Sequence, residues 1–160
     1  MIDDDTITTA PALTAPVAFD VADLQSTDTA ELAIVHPATG QPTTWVWTLA
    51  GPGHPATLAQ SDRLARTALK AAAMKEQATV NRKKWHEDVR EPADVRAENV
   101  RFYAERVLGW SPVRFNGQDF PYSRESCIAF LANPQNDKIY GQLTAYFQAD
   151  DSFTKRSATE

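Results

Sequence analysis

Cysteine is nearly missing from this chain. Cys127 is the only one in 160 residues, so no internal disulfide can form, and the usage fits a reducing compartment. Histidine is scarce as well. His36, His54 and His86 are scattered, and none stands beside another ligand type at metal spacing. His86-Glu87 is not followed by a second histidine at Arg90, so the zinc-protease pattern fails. No run approaches the roughly 18 apolar residues of a membrane span. Met1 leads into Ile-Asp-Asp-Asp, the opposite of a signal peptide's basic start. A basic excess is missing too. The net charge is −5, so nucleic acid is not expected as the main partner. These absences read as a soluble intracellular protein that binds neither a membrane nor a metal.

Catalytic patterns are also absent. Gly51-Pro52-Gly53 lacks the lysine and the spacing of a phosphate loop. Ser123 and Ser126 have no nucleophile elbow around them, and Ser123 reads as a helix cap. Cys127 sits on an apolar helix face, where a cysteine is a small core residue. Asp3, Asp4 and Asp5 read as part of a solvated tail. With no acid–base pair and no nucleophile constellation, the expectation is a binding or assembly protein and not an enzyme, with no cofactor.

What is present organises around Val100 to Tyr122. Val100, Tyr103, Ala104, Val107 and Leu108 recur at three- and four-residue steps, which predicts one helix face continuing to Leu108. Gly109 follows where a left-handed C-cap is expected, and Pro112 cannot continue a helix. If Gly109 has positive φ, Gly109→Val costs about 1 kcal/mol or more. Val113 to Phe115 reads as extended, Asn116-Gly117 as a turn, and Ser123 as the next cap. Phe102, Tyr103, Trp110, Phe115, Phe120 and Tyr122 are the anchors of this corner.

Upstream, residues 1–17 are rich in Asp, Thr, Ala and Pro and read as a disordered tail. Phe19, Val21 and Leu24 suggest a docking strand or turn. Thr29 to Ala50 alternates with a period of two around the turn residues Pro37 to Pro42, which predicts a β-hairpin. Trp45, Trp47 and Leu49 then share a face that needs an apolar cover, and a Thr-rich face opposes them.

A long helix is expected from Ala56, with Leu58, Leu64, Ala65, Ala68, Leu69 and Ala72 as its stripe. No Gly or Pro interrupts the chain between Pro55 and Pro92. An unbroken helix to Val89 would run roughly 50 Å, longer than a small domain covers. The expectation is a break near Ala78 to Asn81 or a projecting second half. Pro92 opens the next helix. A short helix from Arg124 to Leu131 would bury Cys127, Ile128 and Leu131, and Asn133-Pro134 would end it. A last helix capped at Asn136 or Asp137 would run through Ala149, with Ile139, Leu143, Tyr146 and Phe147 on one side. Residues 151–160 read as a frayed tail.

The fold expected is α+β. Residues 18–150 form one domain, with a hairpin part (18–50) packed on a helical part (56–150) of about four helices, between flexible termini. Arg82-Lys83-Lys84-Trp85 is the most basic cluster, with Arg63, Arg66, Lys70 and Lys75 upstream. A solvated or protein-facing surface is the plainer reading of it. Trp85 is a candidate interface anchor, the alternative being that it folds back onto the core.

The order of parts resembles the tail assembly chaperones of long-tailed (siphovirus-type) bacteriophages and prophages. The resemblance rests on Thr29 to Pro42, the Trp-rich strand leading to Pro52, and the long charged helix. It continues through Val107-Leu-Gly-Trp110, Asn116-Gly117, Phe120 to Ser123, Asn133-Pro134 and the end near Asp151 to Phe153. It spans about Phe19 to Phe153.

What the resemblance implies is a non-enzymatic protein that coats the tape measure protein, keeps it soluble and helps recruit tail tube protein. Such a protein works in the host cytoplasm and is absent from the mature virion. Self-association is an option. The alternative is a virion structural protein, a head–tail connector or a minor tail component. Trp45, Trp47, Trp85, Phe102, Tyr103 and Trp110 form the pool expected to contain the contact residues, most of its members being core.

Overall fold

The computed structural model describes residues 21–85, 89–149 and 153. The two predicted tails therefore lie outside the described residues, apart from Phe153, as does His86. Among the described residues, strands β1 (Thr29–Val35) and β2 (Pro42–Ala50) precede helices α1 (Pro55–Val80) and α2 (Pro92–Ala104). Strand β3 (Val107–Trp110), the short hairpin β4 (Arg114–Phe115) and β5 (Gln118–Asp119), and helices α3 (Arg124–Ala132) and α4 (Asp137–Gln148) complete the order. Val21–Leu24 and Pro134–Asn136 are 3-10 turns. The class is α+β, as the patterning predicts.

The predicted hairpin forms, with Leu32 opposite Trp47 and Ala30 opposite Leu49. It is part of a three-stranded antiparallel sheet in the order β1-β2-β3. The third strand corrects the expected helix. The helical spacing continues into Val107 and Leu108, but α2 ends at Ala104. Arg106 N–H donates to the Tyr103 carbonyl at 3.0 Å, and the Arg106 carbonyl accepts from Ala50 N–H at 2.7 Å. From there Val107 and Trp110, good strand formers, pair with β2, whose tryptophans need cover. A bulge at Leu108 offsets the register, so that Val107 lies opposite Leu49 and Trp110 opposite Trp47. Gly109 is therefore a strand residue without positive φ, not a left-handed cap.

The other local signals fold as read. Asn116 (φ 51°) and Gly117 (φ 78°) make the two-residue turn of the β4–β5 hairpin. The Ser123 hydroxyl caps α3 by accepting from Ser126 N–H at 3.0 Å. One face of the sheet packs on the helices. Ile34, Trp47, Leu49, Val100, Ala104, Val107, Cys127, Phe130, Leu131, Leu143 and Phe153 form the buried cluster. Arg106 closes the corner, donating to the Ala50 carbonyl at 3.0 Å while its guanidinium lies 4.2 Å from the Phe147 ring centre.

Candidate partner-binding arm

Helix α1 departs most from an ordinary packed element. Pro55 occupies its first turn, and the His54 imidazole caps it by accepting from Ala56 N–H at 3.1 Å. Ala, Leu, Lys, Arg and Gln dominate the rest, all good helix formers. Only the first two turns are buried, at Thr57 and Gln60. The Gln60 side-chain amide donates to the Phe102 carbonyl and to Glu105 Oε2, both at 2.8 Å. Arg63 adds an ion pair to the same Glu105. Burial pushes the Glu105 carboxyl up, but the hydrogen bonds from Arg63 and Gln60 and the Arg63 charge outweigh it, so the group lies below its ordinary value.

Past this clamp the helix stands free. Residues 61–77 are all exposed. Twenty-six residues give α1 a length of about 39 Å. The expected break falls where the sequence placed it. Asn81 caps the helix through a bond to the Gln77 carbonyl at 3.0 Å, and Arg82 turns into the left-handed region at φ 55°.

The apolar stripe read from the sequence is real but uncovered. Leu58, Leu64 and Leu69 are 53%, 48% and 70% exposed, and Met74 and Val80 join them. Leu58, Ala65, Leu69 and Ala72 recur at three-, four- and seven-residue steps and line one side. Arg63, Arg66 and Lys70 line a second side, about 120° round the helix. A surface helix of a globular domain normally turns its apolar stripe inward. Here the stripe faces solvent along most of the arm.

Of the six aromatic residues in the predicted pool, three form one cluster under the sheet. The Trp45 and Trp110 rings lie 5.2 Å from Trp47, and Trp45 lies 5.8 Å from Trp110. Phe130 meets Trp45 edge-on at 5.4 Å. Trp47 is fully buried. The indole N–H groups of Trp45 and Trp47 find no acceptor among the described residues, whereas Trp110 Nε1 donates to the Phe120 carbonyl at 3.0 Å. Phe102 and Tyr103 meet each other edge-on, and Tyr103 stacks on Phe147 at 5.7 Å. Trp85 alone stands apart, 39% exposed just beyond the arm's end. Beside Trp110, an open groove of about 720 Å³ is lined by residues including Val113, Phe120, Pro121 and Tyr122.

Sequence reading missed the clamp of Gln60, Arg63 and Glu105, because polar residues distant in sequence carry no periodic signal. Among the described residues no group of His, Cys, Asp and Glu is placed to hold a metal, and no helix is long and apolar enough to cross a membrane. Burial pushes the Cys127 thiol up to about 12, which suits a core side chain. No protein-family model, no curated protein and no solved structure matches the chain.

Proposed function

We propose that this protein is a tail assembly chaperone of a long-tailed phage or prophage, holding the tape measure protein soluble and helping recruit tail tube protein in the host cytoplasm. The observation that carries the reading is α1, anchored at one end and exposing an Ala- and Leu-rich side over most of its length. Such a side suits a helical client. Small residues let a second helix approach closely, and Leu58 and Leu69, three turns apart on one side with Ala65 and Ala72, supply the anchors. A client with long apolar faces would aggregate in water, and covering them removes that drive. The net charge of −5 would keep the coated complex dispersed. On this reading the protein performs no chemistry and leaves before the particle matures.

The test is co-expression with the tape measure protein encoded nearby, followed by a solubility assay and a pull-down. The client is expected to become soluble and to co-purify. The double variant Leu58→Glu/Leu69→Glu is expected to abolish both effects with an unchanged melting temperature, since both side chains are exposed. Presence of the chain in purified virions at fixed copy number, with no effect on client solubility, would replace this reading with a structural component of the particle.

A further inference from the structure

Charge in this chain is segregated along the sequence. Residues 55–84 carry seven Lys or Arg against two Asp or Glu, a net of +5. The whole chain carries −5, which leaves −10 for the remainder. On the arm, Arg63, Arg66 and Lys70 form a row with steps of three and then four residues. Arg63 is held by Glu105, while Arg66 and Lys70 are exposed and make no ion pair among the described residues. Asp62 lies at the margin of this row.

A row of opposite sign lies at the start of α2. Glu91, Asp94 and Glu98 are exposed and repeat the same steps of three and then four. Val95, 40% exposed, lies beside Asp94 within it. Glu98 is met by Arg90 at 2.7 Å, and Arg101 ends the row one turn later. Among the described residues no ion pair joins the two rows within one chain: the four pairs present are Arg63–Glu105, Arg90–Glu98, Arg96–Asp137 and Arg114–Asp119.

We infer that the basic side of α1 docks on a second copy of this chain, Arg66 and Lys70 meeting the Asp94 and Glu98 row on the partner copy's α2. Identical spacing lets the two rows face each other in a parallel arrangement, Arg66 on Asp94 and Lys70 on Glu98, with Val95 giving the contact a small apolar centre. Exposed pairs are individually weak, so the contact depends on several acting together and on low ionic strength. The basic row lies about 120° round the helix from the Leu58, Ala65, Leu69 and Ala72 side, so copies can link through one side of the arm while the other stays free. The inference stands on charge and spacing alone and does not rest on the identity of a client.

Sedimentation velocity on the full chain tests it over a range of concentrations, at about 0.05 M and about 0.5 M salt. The expected result is a mass that rises with concentration at low salt and falls back toward the monomer at high salt. Arg66→Glu/Lys70→Glu and Asp94→Lys/Glu98→Lys should each weaken association roughly tenfold. An equimolar mixture of the two variants should recover it, because each reversed row then meets its complement. All four positions are exposed, so unchanged melting is expected of both variants, and Asp94→Lys alone serves if Glu98→Lys disturbs the Arg90 contact. A monomer at every concentration in low salt overturns the inference. So does association that the reversals leave unchanged, or a mixture that does not recover it.

Discussion

Gln142 pairs with Val35 as a neighbouring strand would. Its side-chain Oε1 accepts from Val35 N–H at 2.7 Å, and its Nε2 donates to the Val35 carbonyl at 2.8 Å. A helix residue thereby satisfies both backbone groups at the end of β1, an edge strand that would otherwise present them to another chain. One helical turn further on, the Tyr146 hydroxyl donates to the Glu31 carbonyl at 3.3 Å. Gln142→Leu should cost about 1–3 kcal/mol in denaturant unfolding, because two half-buried backbone groups lose their partners. Gln142→Glu keeps the acceptor and loses the donor, so it should also destabilise.

Two glycines should respond in opposite directions. A Cβ at Gly51 would come within 2.1 Å of the Thr27 carbonyl oxygen and 3.0 Å of that of Asp28. Both are backbone atoms, so the segment would have to move, and Gly51→Ala should cost about 2–3 kcal/mol. At Gly109 a Cβ would meet nothing within 4 Å. Gly109→Val places a β-branched residue in a strand and should be neutral or stabilising by about 0.5 kcal/mol. Thermal melting of the two variants checks both.

The Glu105 clamp should make the base of the arm acid-sensitive. Its carboxyl lies below the ordinary value of 4.5 in the folded chain. A depressed carboxyl stabilises the fold at pH above that ordinary value, and the contribution is lost as pH falls through the folded value. Glu105→Gln should therefore be less stable than the parent at pH 7, with the gap closing in acid. Arg63 is more than half exposed, so solvent screening holds the gap below about 1 kcal/mol. Melting of the two proteins between pH 3 and pH 7 measures it.

Cys127 is fully buried on α3, and its thiol is pushed up to about 12 by burial. Reaction requires the thiolate and access to it. A thiol reagent at pH 8 should therefore label the folded protein far more slowly than the denatured protein. Rapid labelling of the folded chain would show that α3 opens readily.

Most local structure was legible from the sequence because its causes are local. Turn chemistry at Asn116-Gly117, the cap at Ser123, and the period-two hairpin each follow from a few adjacent residues. Strand β3 was not legible. Val107 and Leu108 continue the helical spacing of Val100, Tyr103 and Ala104, and only the need of β2 for a partner turns them into a strand. The same limit applies to the arm. Its apolar stripe was read correctly, but whether a stripe is covered depends on where the other helices pack. The opposed charged rows were visible as letters and gained meaning only when both proved exposed and unjoined in one chain.

Trp47 and Trp85 carry the sharpest contrast between aromatic residues that sequence placed in one pool. Trp47 is fully buried and touches Trp45, Trp110 and Phe130. Trp47→Ala should cost about 3–5 kcal/mol, through lost burial and the cavity left behind. Trp47→Phe should cost far less, since ring contacts persist and the N–H that is removed has no acceptor among the described residues. Trp85 is exposed beyond the end of α1, so Trp85→Ala should leave melting within about 0.5 kcal/mol of the parent. If Trp85 anchors a partner, the same variant weakens that complex while the fold is unchanged, which separates an interface tryptophan from a core one by two measurements on one protein.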